Sequence, residues 1–271
     1  MTNKSKMSRW LTVAFCITFI LPLMSYATAQ KKSEERKAKQ KLTNSGSNSR
    51  RITFTADDGL IHVGTFYPVK EKKGPAVILI HMIEGSRKDW AIAAEDLQKN
   101  GYAVLTYDLR GFGESITTQD SKKLNWETFT EADYQKMIKD VGSALDFLTG
   151  HAGVNEKRIG IIGADLGANI GLNYAVMNDQ NIKTIICVSA NFNYKGIKSR
   201  DAVVAYGKRP VMFCCSKKDL PATHSTRILH EIALGQKKLK YYPSGSGHGT
   251  ELLNSSAEFM EDITQWLKET L

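Results

Sequence analysis

The sequence has few of the residues that build disulfide-rich or metal-binding folds. It contains only four cysteines in 271 residues. One lies in the N-terminal apolar run, and the other three are Cys187, Cys214 and Cys215. These three lie in apolar segments, so we expect small buried hydrophobic side chains, although a disulfide could form in an oxidising compartment and would leave one thiol unpaired. No cysteine–histidine cluster has metal-ligand spacing, so neither a metal nor a cofactor is expected.

The sequence also lacks an apolar run of about 20 residues, the length that a membrane-spanning helix needs. Its N-terminal apolar run extends only from Trp10 to about Leu23. Three basic residues precede this run, and the small-residue triplet Ala27-Thr28-Ala29 follows it, which is typical of a secretory signal peptide. We therefore expect residues 1–29 to be a signal peptide cleaved near Ala29, and the protein to be exported to the periplasm or the exterior. The alternative is an N-terminal membrane anchor, which the basic residues that follow would favour.

Excess charge is absent from most of the chain. The formal net charge is +9, of which residues 1–29 carry +3 and residues 30–51 carry +6, so residues 52–271 are neutral overall. A nucleic-acid partner is therefore not expected. Residues 30–50 are basic and polar, and we expect a disordered linker there. This basic tail could make weak contact with an anionic membrane surface, but a solvated linker is the interpretation we favour.

From residue 51 onward, short apolar runs alternate with helical patterns. The runs "RITFTA" and "IHVGTFY" flank Asp57-Asp58-Gly59, which predicts an antiparallel hairpin. Further strands are predicted at "AVILIH", "YAVLTYD", "RIGIIG", "TIICVSA", "RPVMFCC" and "LKYYP". This alternation predicts an α/β fold with a doubly wound, mostly parallel sheet over residues 51–271. Ligands bind such sheets beyond the carboxyl ends of the strands.

The segment "GIIGADLGANIG", residues 160–171, has the layout of a strand, a sharp turn and a helix, but it lacks a serine on the turn. Enzymes of acyl transfer with this layout carry their nucleophilic serine between the two glycines, where this sequence has Asp165. Other predicted strand ends carry His81, Asp219 and His248. Nucleophile position, acid and histidine follow one another in the chain order of α/β-hydrolases.

Five segments together resemble the α/β-hydrolase superfamily, close to compact dienelactone-hydrolase-like and secreted esterase-like members. They are "ILIHMIEGSRKDW", "YDLRGFGES", "GIIGADLGA", "RPVMFCCSKKD" and "GSGHGTELL". The resemblance implies that His248 is the catalytic base, that Asp219 orients it, and that the backbone N–H groups of Met82 and Leu166 form the oxyanion hole. No large cap domain is expected, because residues 191–208 are too few to form one.

A second group of residues resembles the structural turn after the family's fourth strand: Asp108, Arg110, Gly111, Gly113 and Ser115. His81 is expected to satisfy a backbone carbonyl rather than to act in catalysis. Ser115 and Ser246 are other hydroxyls near the predicted site. Neither lies on a strained turn, so we do not expect either of them to replace the missing serine.

An aspartate at this position changes the expected chemistry. Attack of a carboxylate on an ester carbonyl gives an unstable mixed anhydride, and donors aimed at the turn stabilise the carboxylate in the ground state. Ordinary serine-esterase turnover is therefore not expected. The superfamily's haloalkane dehalogenases and epoxide hydrolases carry aspartate here, and they form an alkyl ester that histidine-activated water hydrolyses. In the absence of a cap, Tyr194, Tyr206 or Trp126 could hold the leaving group.

Three functions stay open at this point. The expected one is a hydrolase of a small organic substrate, either ester-like or an alkyl compound attacked by Asp165. In the second, Asp165 and His248 position a water molecule for slow hydrolysis. In the third, the two residues stabilise each other's charged forms, and the protein is a catalytically silent pseudo-hydrolase that binds a ligand.

Overall fold

The computed structural model describes residues 48–69, 73–243 and 247–271. The predicted signal peptide with its cleavage site near Ala29, most of the predicted linker, and Ser246 lie outside the described residues. Within the described part of the chain, no helix is both long and apolar enough to cross a membrane. The first strand begins at Arg50, so the last residue of the predicted linker already belongs to the sheet.

The predicted N-terminal hairpin is confirmed. Strand β1 (Arg50–Thr55) pairs antiparallel with β2 (Leu60–Tyr67). The turn between them contains Gly59, whose φ of 81° is a left-handed conformation that glycine adopts without steric cost. The hairpin forms one end of the main sheet, because β2 also pairs antiparallel with the next strand inward.

The rest of the main sheet is parallel. Its principal strands are β3 (Gly74–Ile80), β4 (Ala103–Tyr107), β6 (Val154–Ala164), β7 (Ile182–Val188), β10 (Val211–Ser216) and β11 (Lys237–Tyr242). The strand order is β1-β2-β4-β3-β6-β7-β10-β11, and the short β5 (Thr117–Thr118) pairs with β2. The prediction of a mostly parallel sheet behind an antiparallel hairpin is therefore confirmed.

Helices cover both faces of the sheet. They are α1 (Ala91–Lys99), α2 (Glu131–Thr149), α3 (Leu166–Met177), α4 (Arg200–Ala205), α5 (Leu220–Ile232), α6 (Leu252–Ser255) and α7 (Ala257–Thr270). Short 3₁₀ turns at Arg87–Trp90, Trp126–Thr128 and Gly249–Glu251 precede α1, α2 and α6. Strand β3 shows why both faces are covered: Ile78 and Ile80 join one hydrophobic cluster, and Val77 and Leu79 join the other.

The segment between β7 and β10 is a small insertion rather than a cap domain. It contains a two-stranded hairpin, β8 (Asn193–Tyr194) and β9 (Ile197–Lys198), followed by α4. The two residues of its turn, Lys195 and Gly196, have φ values of 50° and 82°, the left-handed pair that closes a tight hairpin. The expectation that residues 191–208 form no large cap is confirmed.

The three cysteines of the described chain are buried free thiols. Burial raises the pKa of Cys187, Cys214 and Cys215 above the ordinary range of a thiol. Cys215 Sγ also lies 3.5 Å from Thr226 Oγ1. The expectation of small buried hydrophobic side chains is therefore confirmed.

Candidate active site

Asp165 occupies the sharp turn between β6 and α3, which we call the elbow (residues 163–167). Its φ of 50° and ψ of −113° lie outside the ordinary regions for a residue with a side chain, and the side chain is only 2% exposed. The flanking glycines make this turn possible. A Cβ on Gly163 would clash with the carbonyl group of Gly167, and a Cβ on Gly167 would clash with the carbonyl group of Ile80.

Asp219 and His248 are joined by a short hydrogen bond. His248 Nδ1 lies 2.6 Å from Asp219 Oδ2, and Asp219 comes directly before α5. The same carboxylate also caps that helix, because its Oδ1 accepts from the Ala222 N–H at 3.3 Å. The capping role and the orienting role, which compete as explanations of Asp219 in the sequence, therefore occur together.

The elbow aspartate lies on the other side of the same imidazole. His248 Nε2 is 3.4 Å from Asp165 Oδ1, so the three side chains form a continuous line of carboxylate, imidazole and carboxylate. We call this line the acidic relay (Asp165, His248 and Asp219). The His248 side chain is 42% exposed, whereas those of Asp165 and Asp219 are 2% and 11% exposed, so the imidazole is the most accessible of the three groups.

The two carboxylates control the protonation of the histidine. Hydrogen bonds with Asp165 and, next, Asp219 raise the pKa of His248 from 6.5 to about 10, although burial acts in the opposite direction. Burial acts to raise the pKa of Asp219, but the hydrogen bond from His248 holds it below its ordinary value. At neutral pH the site therefore contains an imidazolium, which is a hydrogen-bond donor rather than a base.

One backbone amide reaches the elbow carboxylate from the loop after β3. The Ile83 N–H donates to Asp165 Oδ2 at 3.4 Å. This donor is the neighbour of Met82, whose amide the family resemblance assigns to the oxyanion hole together with that of Leu166. The roles of Met82 and Leu166 stay predictions.

His81 fixes that loop rather than taking part in the relay. The Leu109 N–H donates to His81 Nε2 at 2.9 Å, so the proton is on Nδ1, which donates to the Met82 carbonyl at 2.7 Å. Burial lowers the pKa of His81, which favours this neutral form. The histidine satisfies a backbone carbonyl, as expected from the sequence.

Two polar residues that no sequence motif marks lie at the site. Asn191 Nδ2 donates to Asp165 Oδ1 at 2.9 Å. Ser189 Oγ accepts from the Gly249 N–H at 3.1 Å, and a hydrogen bond with this serine also lowers the pKa of Asp219. Both residues follow the end of the buried strand β7. Their position could have been suspected from the sequence only because they are polar residues at the carboxyl end of a central strand. Neither residue belongs to a family motif.

The three side chains considered as leaving-group donors have different surroundings. Tyr194 is half-buried, and burial together with the nearby charge of Asp165 raises its pKa to about 12, so its hydroxyl stays protonated. The Tyr206 hydroxyl donates to the Pro210 carbonyl at 3.0 Å, so it is already engaged. The Trp126 ring stacks on Phe112 with centroids 4.9 Å apart.

The turn after β4 is structural, as the resemblance implies. Asp108 accepts hydrogen bonds from the backbone N–H groups of Arg87 and Glu114 at 2.8 and 2.9 Å, and its side chain also pairs with the Arg87 guanidinium. Ser115 Oγ accepts from the Val63 N–H at 2.9 Å. This hydroxyl is buried and bound to the sheet, so it is not an alternative nucleophile.

A second charged group lies next to this turn. Arg110 pairs with Asp140 at 2.6 Å and with Asp58 at 2.8 Å, and His62 Nε2 lies 3.4 Å from Asp140. We call these four residues the Arg110 cluster. His62 and Asp140 are buried, whereas Asp58 reaches the surface. In the described residues, no group of three or more histidine, cysteine, aspartate or glutamate side chains is arranged to hold a metal ion.

The family model of the alpha/beta hydrolase fold matches residues 75–213 of the chain. A thiohydrolase of Aspergillus aculeatus is 31% identical over 140 residues, which is 51% of this chain and 40% of that protein. The chain thus spans less than half of the thiohydrolase's length. A Bradyrhizobium protein is named a probable 2-oxo-3-(5-oxofuran-2-ylidene)propanoate lactonase. It is 26% identical to this chain, and the match covers 67% of this chain and 75% of that protein.

Solved structures share the architecture at lower identity. A dienelactone hydrolase from Anabaena variabilis superposes with a TM-score of 0.68 at 18% identity, covering 83% of this chain and 99% of that one. An esterase from Pyrococcus furiosus superposes with a TM-score of 0.67 at 18% identity, covering 83% and 91%. These likenesses establish the fold.

Proposed function

The chain belongs to the α/β-hydrolase family, and from that premise we propose that it hydrolyses a small organic substrate through a covalent ester on Asp165. One observation carries the proposal: the acidic relay joins Asp165, His248 and Asp219 without a break at the carboxyl edge of the sheet. Relatives named as a thiohydrolase and a lactonase support hydrolysis. The identity of residue 165 decides which bond is attacked.

In the first step, Asp165 Oδ1 attacks a saturated carbon. An O–C bond forms, the bond from that carbon to the leaving group breaks, and the leaving group takes the electron pair. Esterified Asp165 is uncharged, so the largest cause of the raised His248 pKa disappears. His248 then gives up its proton, which the leaving group takes, and the imidazole becomes a base.

In the second step, neutral His248 accepts a proton from a water molecule that attacks the ester carbon of Asp165. Asp219 keeps the imidazole oriented through its 2.6 Å contact with Nδ1. The Ile83 N–H lies against Oδ2, where the negative charge of the tetrahedral intermediate develops. Collapse releases the alcohol, which takes the proton from His248, and leaves one solvent oxygen in the Asp165 carboxylate.

An ester-like substrate is the second candidate, favoured by the names of the relatives. Asp165 is a poor nucleophile for a carbonyl carbon, so on this route the pair of Asp165 and His248 would activate a water molecule directly. No oxygen from solvent would then enter Asp165. The two routes differ in the fate of one oxygen atom and can be separated by isotope labelling.

The test uses the full chain with two probes, styrene oxide for saturated carbon and p-nitrophenyl acetate for an acyl group. After turnover in oxygen-18 water, mass spectrometry of the peptide containing Asp165 should show one heavy oxygen with styrene oxide. The variant His248→Gln should accumulate the alkyl ester, because water can still supply the proton that the leaving group takes, whereas the base of the second step is missing. His230→Gln, at the far end of α5, is the matched control and should release the ester normally.

Two other results would contradict the proposal of a covalent ester on Asp165. Turnover of the acyl probe alone, with no isotope in Asp165, would establish the water route instead. Binding of both probes without turnover or labelling would identify a ligand-binding pseudo-hydrolase.

We also propose that the protein is exported after cleavage near Ala29. The basic n-region, the short apolar run and the small-residue triplet in the sequence support this. N-terminal sequencing of the mature protein should begin at residue 30. An intact N-terminus in the membrane fraction would identify an anchor, and binding of residues 30–50 to anionic vesicles would identify the weaker surface contact.

A further inference from the structure

The side chain of Asn191 makes the shortest polar contact to the elbow carboxylate among the described residues. Its Nδ2 lies 2.9 Å from Asp165 Oδ1, whereas His248 Nε2 and the Ile83 N–H lie 3.4 Å from the carboxylate oxygens. A carboxamide has two N–H donors and one carbonyl acceptor. In the described part of the chain, the other N–H and the carbonyl oxygen of Asn191 have no hydrogen-bond partner, so they are available to a ligand.

Contacts with α3 fix the backbone that carries this carboxamide. The backbone N–H of Asn191 donates to Asn169 Oδ1 at 3.2 Å, and Asn169 Nδ2 donates to the Ile197 carbonyl at 3.0 Å. One turn further along α3, Asn173 Nδ2 donates to the Lys198 carbonyl at 2.9 Å. The β8–β9 hairpin is therefore held at both ends by α3, the helix that begins immediately after Asp165. Carboxamide and carboxylate are pre-organised relative to each other.

The two oxygens of Asp165 differ as a result. Oδ2 faces the Ile83 amide, the donor suited to an oxyanion, while Oδ1 faces Asn191 and His248. Oδ1 is thus the oxygen expected to attack. When Oδ1 shares its electron pair with carbon, it loses negative charge and becomes a weaker acceptor, while negative charge appears on the leaving atom. A donor that reaches the leaving atom therefore binds the transition state more strongly than the ground state.

We infer that Asn191 is a further catalytic residue that selects Oδ1 as the nucleophile and recognises oxygen on the substrate. This inference rests on the proposed function. One N–H holds Oδ1, and the second N–H binds an oxygen at, or next to, the attacked carbon. Asn191 donates hydrogen bonds only, so no covalent bond to it forms or breaks. The substrate class is an oxygen-bearing compound rather than a simple alkyl halide, since bound halogen is a weak acceptor.

The experiment removes the donors without removing the bulk. Asn191→Leu should lower the rate of ester formation on Asp165 from styrene oxide by about 10²-fold, the effect of losing one pre-organised donor. The loss with 1-chlorobutane should be smaller, because this probe carries no oxygen. The matched control is Asn193→Leu, an exposed position in the same hairpin, and it should keep the wild-type rate with both probes. Asn191→Ala gives a second variant should the leucine disturb folding.

Replacing the nucleophile tests whether Asn191 acts on the oxygens of Asp165. In the Asp165→Ser background, Asn191→Leu should lower cleavage of p-nitrophenyl acetate by much less than it lowers ester formation on Asp165, since serine has no second oxygen to select and only the contact with the substrate oxygen is lost. Equal losses in both backgrounds would assign Asn191 a purely structural role. An unchanged labelling rate in Asn191→Leu, with the wild type labelled, would overturn this inference alone. A wild-type enzyme that never forms the ester would overturn the proposed function and this inference together.

Discussion

The acidic relay and the Arg110 cluster use the same residue types for opposite purposes. In each, a histidine lies beside a buried aspartate at 3.4 Å. In the Arg110 cluster, a permanently charged guanidinium pairs with both Asp140 and Asp58, and His62 is buried. In the acidic relay, no arginine pairs with either aspartate among the described residues, so the imidazole alone carries the balancing charge.

The difference shows what separates a polar group that can exchange a proton from one that only holds the fold together. A pair that contains a permanently charged guanidinium holds elements together, and breaking it leaves an uncompensated buried charge. A pair whose balance depends on one exchangeable proton can change state when its charge changes. The partly exposed imidazole of His248 gives that proton a path to solvent.

The largest expected effect is on turnover, from Asp165→Asn. The carboxamide fills the same space but cannot attack carbon, so turnover should fall by about 10³- to 10⁴-fold, the loss typical of removing a catalytic group that acts with others. Initial rates with styrene oxide measure it, and thermal unfolding should show a folded protein. If this variant keeps its activity, Asp165 is not the nucleophile and the comparison with the Arg110 cluster loses its basis.

The next effect is on stability, from Asp140→Ala in the Arg110 cluster. Removing one partner of a buried ion pair costs about 3–5 kcal/mol, because Arg110 is left without its closest acid. The free energy of unfolding, measured with urea, should fall by this amount, while turnover per folded molecule stays near that of the wild type. Glu231→Ala is the control, because its pair with Arg227 is exposed and contributes little. Loss of turnover without loss of stability would make the cluster part of the active site.

The smallest effect is the pH dependence that His248 gives to the acidic relay. The folded pKa of His248, about 10, exceeds its ordinary value of 6.5, so its contribution to stability is complete below pH 6.5 and is lost as the pH rises through 10. The difference in unfolding free energy between wild type and His248→Gln should shrink over that interval. NMR titration of the imidazole checks the cause directly: Asp165→Asn should lower the pKa of His248. A wild-type pKa near 6.5 would contradict the charged resting state.

Most of the fold could be predicted from the sequence because each element has a local signal. The apolar runs at β3 and β6 and the turn at Gly59 need no tertiary information. The predicted strand boundaries differ from the observed ones where pairing with distant parts of the chain determines them. The strand predicted at residues 184–190 is observed at Ile182–Val188, because the backbone bends at Ser189, where φ is 50°.

The candidate site could be predicted only as far as its motifs extend. Asp165, Asp219 and His248 follow recognisable strands, and the structure brings their side chains into contact. Asn191 could not be found this way, because its position depends on contacts with α3 that lie far away in the sequence. The role of His62 was equally hidden, since its neighbours in the chain read only as an apolar strand.

The two elbow glycines have a consequence for how this site can change. Because they let helix and strand approach so closely, the main chain alone determines where the side chain of residue 165 points. The turn therefore places the side chain of residue 165, whatever its type, beside the same imidazole. A single codon can exchange the attacking atom while the supporting framework is kept, so closely similar chains can differ in chemistry without differing in shape.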